Sequence, residues 1–264
     1  MKDLAHEKIA FIAKITAGAT HELNNVFATI REAAGLISDL LLITYKNYPG
    51  NMAGLDLATG LKRKRLSFLS KVFGRQKAPL APEKSNKEKQ GEQVSQNLNK
   101  LTMSLSTVQK QVNRGVNLTK VLNRFAHYSD EPVMRVELGE LISTLTVLLE
   151  RFARVRAVDM LFSMPNEKIY LTTDAVMLQL VLFRYLEAYW THMPLGGQIN
   201  LSITANNGES KIYLYSESDV KPVEQWLKAI ESVEDLVKKD LKGKIVKNTS
   251  RAEICLALPS EAIS

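Results

Sequence analysis

His21 stands directly before Glu22, and this pair is where the sequence first offers chemistry. An imidazole is largely neutral and nucleophilic near physiological pH, and an adjacent carboxylate can take its proton and orient the ring. Such a pair suits transfer of a group onto a ring nitrogen, provided that the ring can be reached. Access depends on the element that carries it. Apolar residues recur at Ile12, Ile15, Ala19, Leu23, Val26, Ile30, Ala33, Ile37 and Leu40, steps of three and four that trace one stripe of a long helix. His21 falls off that stripe and shares its face with Ala17, Gly18, Asn24, Asn25 and Ala28. These neighbours are small or polar, and Gly18 one turn earlier is expected to leave the imidazole uncovered. The plain alternative is an ordinary surface histidine on an amphipathic helix.

The first helix should run from about Leu4 to Tyr45 and end where Asn47, Pro49, Gly50 and Asn51 cluster. From 47 to 91 the composition turns to Lys, Gly, Pro, Ser, Asn and Gln, which predicts a basic, partly disordered insertion. Within it, residues 61–77 set Leu61, Leu66, Phe68, Leu69, Val72 and Phe73 among lysines and arginines. A short basic amphipathic helix there would suit an anionic membrane surface or an acidic partner. A second long helix is expected from about Gln93 to His127, with Leu98, Leu101, Leu105, Val108, Val112, Val116, Leu118, Val121, Leu122 and Phe125 at helical spacing. An isolated hairpin of two such helices cannot enclose its own apolar stripe. Pairing two hairpins about a two-fold axis would do so, and a homodimeric four-helix bundle is the expectation.

Pro132 marks a boundary. Beyond it the pattern reads as a helix at Val136–Arg156, short strands at Ala157–Met164 and Ile169–Thr172, and a helix at Ala175–Trp190 capped by Thr173 and Asp174. Gly196 and Gly197 then lead into Gln198–Ala205 and Lys211–Ser216, two alternating runs separated by Asn206, Asn207 and Gly208, a hairpin signature. Pro222 opens a further helix to about Lys239, and Lys244–Thr249 and Ala252–Leu258 make a last pair of strands. The fold class expected is α+β: a long helical hairpin over 1–130 forming a dimeric four-helix bundle, followed by a two-layer α/β sandwich over 131–264.

Composition narrows the function classes. The 264 residues are 45% hydrophobic, and no run of eighteen or more apolar residues exists to span a membrane. The first residues lack the apolar core and cleavage site of a signal peptide, so a cytoplasmic location is expected. A net charge of +7 invites a nucleic-acid reading. The basic residues crowd into Lys62–Lys89, however, and no helix-turn-helix, zinc-ligand or aromatic RNA-binding pattern accompanies them. No nucleic-acid partner is expected. Cys255, the single cysteine, reads as a core residue. His6, His127 and His192 have no metal-ligand spacing, and Trp190 and Trp226 read as core or interface.

The run AGATHELNN resembles the phosphoacceptor box of bacterial two-component histidine kinases, A-G-x-x-H-E-hydrophobic-x-N-P. Ala17, Gly18, His21, Glu22, Leu23 and Asn25 match, and Val26 takes the place of the proline. Arg114, Leu118, Leu122, Phe125 and Ala126 fall where that family has its recurring arginine, leucines and F-A pair. The resemblance implies that His21 is the phosphoacceptor, Glu22 its proton acceptor, and Asn25 the residue that positions a water when a partner aspartate is dephosphorylated. The second half looks like the family's ATP-binding domain with its site degenerate. Where the family has a magnesium-binding asparagine, Glu187, Ala188 and Tyr189 occupy the neighbourhood. Where it has D-x-G-x-G, Ser216, Glu217, Ser218, Asp219 and Val220 carry no glycine. Lys221–Lys242 carries none either, which leaves the lone Gly243 in place of a glycine-rich lid.

The sequence is similar in this respect to dimeric histidine phosphotransferases. The implied function is transfer of a phosphoryl group between receiver-domain aspartates through His21, with no cofactor in this chain and magnesium on the partner receiver domain. The expected partners are response-regulator receiver domains and a second copy. One alternative is a non-catalytic pseudokinase scaffold that binds a kinase or response regulator. The other is a divergent ATP-dependent sensor histidine kinase that holds magnesium on Glu187.

Overall fold

A computed structural model describes residues 2–47, 86–192, 196–206, 208–216, 224–248 and 252–259. The amphipathic segment expected at 61–77 lies outside these residues, as do Glu217 to Val220 and Pro222. Helix α1 spans Lys2–Asn47 and α2 spans Asn86–His127. The second helix thus begins earlier than Gln93, because the polar run 86–92 continues in helical register ahead of the first apolar residues. The chain divides into two compact units, one of residues 1–25 with 114–264, the other of residues 26–113. The division follows packing, whereas the sequence boundary near Pro132 follows chain order.

Within residues 26–113, Val26, Ala33 and Leu40 of α1 are buried, as the stripe predicts. On α2 the pattern is reversed: Asn97 and Ser104 are buried while Leu98, Leu105 and Val112, seven residues apart, are 58%, 57% and 45% exposed. Over this part of the helix the heptad-spaced apolar residues face outward.

In the other unit, β1 (Met134–Glu137) pairs antiparallel with β3 (Tyr170–Thr173). Helix α3 (Leu138–Val155) follows β1 directly. The single helix expected from Val136 therefore gives way to a strand, because Glu137 stays extended and its carboxylate accepts from the backbone N–H groups of Gly139 and Glu140. The main sheet has the order β2-β4-β5-β7-β6, with β2 (Val158–Ser163), β4 (Gly197–Asn206), β5 (Glu209–Ser216), β6 (Lys244–Asn248) and β7 (Glu253–Pro259). Strands β2 and β4 run parallel, and all other pairs are antiparallel. Helices α3, α4 (Ala175–His192) and α5 (Glu224–Asp240) complete an α+β architecture of two layers.

Asp174 caps α4 as expected, accepting from Met177 N–H at 2.8 Å. That helix is buried over most of its circumference, from Val176 to Trp190, because residues of α1 add to the α/β layers around it. Phe11, Ile15 and Ala19 belong to the same core as Leu141, Leu145, Leu178 and Leu182. Phe11 meets Phe125 edge-on at 5.8 Å and Phe183 at 5.4 Å, and Phe152 stacks on Trp190 at 6.4 Å. Both tryptophans are core residues, and Cys255 is half-buried on β7, where burial raises its thiol pKa.

Candidate functional site

His21 is exposed on α1, beside the short side chains Ala17, Thr20 and Asn24 in a shallow groove. Its Nδ1 lies 3.2 Å from the Asn25 side-chain amide, one turn on. An amide can face a ring nitrogen either way. With Nδ2 donating, Nδ1 holds the lone pair; rotated by half a turn, Oδ1 accepts from Nδ1–H and leaves Nε2 as the free nucleophile. Asn25 can therefore set the tautomer of an accessible imidazole.

Gly18 does something other than uncover this ring. It is buried, and a Cβ built on it would lie 2.9 Å from Cε2 of Phe152 on α3. The missing side chain admits α3 against α1, and the access of His21 comes from its short neighbours instead.

Glu22 points away from water. Its side chain is 12% exposed and is held by Arg114 of α2 at 3.1 Å and by Arg154 and Arg151 of α3 at 3.4 and 3.9 Å. Arg114 stood out in the sequence; Arg151 and Arg154 did not. The available signal was their i, i+3 spacing, which places both on one face of an amphipathic helix.

The face of α4 that would hold a metal on Glu187 is taken up by residues of α1. Lys14 pairs with Glu187, and Lys8 pairs with Asp174. Arg184 adds a second cation 3.6 Å from Glu187 and pairs with Glu7 at 3.6 Å. The Lys14 ammonium also sits 5.0 Å from the Phe183 ring centre. A divalent ion on Glu187 would meet two positive charges already in contact with that carboxylate. The space between α4, α5 and the sheet is filled by Tyr185, Tyr189 and Trp226, which leave a cavity of about 10 Å³, room for one water at most. Gly243 is occupied with packing, since a Cβ there would fall 2.6 Å from Leu258. Among the described residues, the Glu187 carboxylate and the space beside Trp226 are already occupied by the chain's own side chains.

The other histidines lie apart from this site. His6 is exposed, His127 is exposed and pairs with Asp130 at 2.8 Å, and His192 is half-buried. Among the described residues no group of three or more His, Cys, Asp or Glu side chains is arranged to hold a metal, and no helix is long and apolar enough to cross a membrane.

No family model and no curated protein sequence matches the chain. Among solved structures it is similar to the catalytic domain of the histidine kinase ThkA, with 16% identity over 49% of this chain and 97% of that one and a TM-score of 0.43. It is similar to ThkA in complex with the response regulator TrrA, with 15% identity over 97% of this chain and 64% of that one and a TM-score of 0.41. The Acinetobacter baumannii histidine kinase AdeS gives 10% identity over 60% of this chain and 85% of that one, with a TM-score of 0.40. At such identities and scores the functional reading rests on the chain's own residues.

Proposed function

We propose that the chain is a histidine phosphotransfer protein that moves a phosphoryl group between receiver-domain aspartates through His21 without binding ATP. The observation that carries this reading is the exposed His21 imidazole with Asn25 on its Nδ1. In the forward step the Nε2 lone pair attacks the phosphorus of a partner's aspartyl phosphate. The P–O bond to the aspartate breaks, a P–N bond forms, and the aspartate leaves as a carboxylate. The ring proton stays on Nδ1 against Asn25 Oδ1 until a base takes it, the role proposed for Glu22. Phosphoryl transfer asks for positioning and charge management more than for covalent chemistry from the protein. Magnesium is supplied by the partner receiver domain. The occupied Glu187 and the filled space beside Trp226 support a chain that receives phosphate already activated elsewhere.

A phosphate-affinity gel of the native protein from cells, beside a His21→Ala control, tests this reading. We expect an acid-labile shifted band in the native protein alone; no shift under any growth condition would count against it.

The outward stripe of α2 supports a homodimer, because a heptad-spaced apolar face suits a second copy of the same helix. Leu105→Asp should leave the folded monomer within about 0.5 kcal/mol of its stability while converting a dimer to a monomer in sedimentation. A monomeric wild-type protein would remove the four-helix bundle from the proposal.

The same stripe favours a second reading, a scaffold without chemistry that binds a kinase or response regulator. Under it, His21→Ala leaves signalling intact and Leu105→Asp abolishes it.

A further inference from the structure

We propose that Arg151 and Arg154 of α3 are positioning residues for phosphoryl transfer at His21, acting through Glu22; this rests on the phosphotransfer reading above. The α/β layer would on this account supply charge to the phosphoacceptor helix.

The geometry points there from three sides. Glu22 Oε2 accepts from Arg114 Nη2 at 3.1 Å and from Arg154 Nη2 at 3.4 Å, and Arg151 Nε lies 3.9 Å from Oε1. Glu150 joins the cluster, 3.7 Å from both Arg114 and Arg154, but is 61% exposed. Three guanidinium groups face two carboxylates, and guanidinium stays charged at any relevant pH, so the cluster has a surplus positive charge beside the residue that follows His21. Oxyanions are drawn to such a surplus, most strongly where they accept charge-assisted hydrogen bonds.

The approach of α3 is itself built in. Phe152, between the two arginines in sequence, packs against the bare backbone of Gly18, three residues before His21. Gly18 brings the helix close, and Arg151 and Arg154 then fix the Glu22 carboxylate. On this proposal the Glu22 carboxylate is held in a fixed orientation, with a positive field around it, when a phosphoryl group arrives at His21. A purely structural clamp between α3 and α1 would produce the same ion pairs with no effect on transfer.

Phosphoramidate separates the two, because it labels histidine without a partner protein. Its P–N bond breaks, phosphorus bonds to a ring nitrogen of His21, and ammonia leaves with the ring proton. The full chain would be labelled over a range of phosphoramidate concentrations and read on a phosphate-affinity gel, with His21→Ala as the blank. Thermal unfolding would confirm that each variant is folded.

The Arg151→Gln, Arg154→Gln pair should lower the maximal labelling rate by about tenfold, the scale of charge-assisted hydrogen bonds. Lysine at both positions should recover a substantial part of that rate, since charge is kept and only the fork is lost. Adding Glu22→Gln to the glutamine pair should cost little more, because the residues act as one unit. If the pair fails to fold, Arg151→Gln alone removes the longest of the three contacts and should still slow labelling about threefold. Wild-type labelling rates in folded glutamine variants would overturn this proposal and leave the phosphotransfer reading standing. A wild-type protein that phosphoramidate labels no more than His21→Ala would overturn both.

Discussion

The surroundings of His21 and the interior between α4 and α5 differ first in access. His21 lies in an open groove among short side chains, with one amide on its ring. The space beside α4 is packed by Trp226 and Tyr185, each 1% exposed, down to about 10 Å³. The transfer role proposed for His21 requires approach by a macromolecule, and an open groove meets that requirement. Closure beside α4 buries aromatic surface, which stabilises the fold. The contrast teaches that the access of His21 and the filling of the space beside Trp226 are set independently, because different helices carry them.

The largest way to break this comparison is Trp226→Ala. Removing a fully buried indole should cost about 3–5 kcal/mol, measured by urea unfolding. The enlarged cavity should still give no adenine-nucleotide binding by equilibrium dialysis, since Lys14 and Arg184 remain on Glu187. Tight Mg-ATP binding by the wild-type protein would erase the contrast and favour the divergent kinase.

Gly18→Leu sharpens it from the other side. The added side chain meets Phe152 at less than contact distance, and overpacking of this kind costs about 1–3 kcal/mol. Combining it with Phe152→Ala should cost less than the sum of the single changes in urea unfolding, and strict additivity would show that the two residues do not share the space.

The smallest effect is expected at Tyr185→Phe. The Tyr185 hydroxyl is buried with no hydrogen-bond partner among the described residues, so removing it should be neutral or stabilising by about 1 kcal/mol. Burial also raises the phenol pKa above its ordinary value of 10.0. The unfolded chain then ionises first, so the stability linked to Tyr185 is complete below about pH 10 and is lost as pH rises further. Unfolding midpoints measured between pH 9 and pH 11 should fall less steeply for the phenylalanine variant, and parallel curves would show that the hydroxyl is not held protonated.

Much of this molecule was legible in local pattern. The stripe from Ile15 to Leu40 marked the buried face of α1, the Asn206–Gly208 turn marked the β4–β5 hairpin, and Asp174 marked the start of α4. The residues absent from the sequence reading were those whose meaning is a partner. Val136 looked like the first turn of a helix because nothing local shows that Leu171 pairs with it across β1 and β3. Gly18 looked like an opening beside His21 because nothing local shows Phe152.

What the sequence determined by itself was the succession of elements apart from β1, together with the exposure of His21, since both follow from the spacing of apolar and polar residues along a single segment, and the physics of burial reads that spacing directly. What only the tertiary structure decided was charge pairing. Glu22 is 92 residues from Arg114 and 132 from Arg154, and Lys14 is 173 from Glu187. No periodicity links positions so far apart; only the packed core that brings α1, α3 and α4 together selects which carboxylate meets which cation.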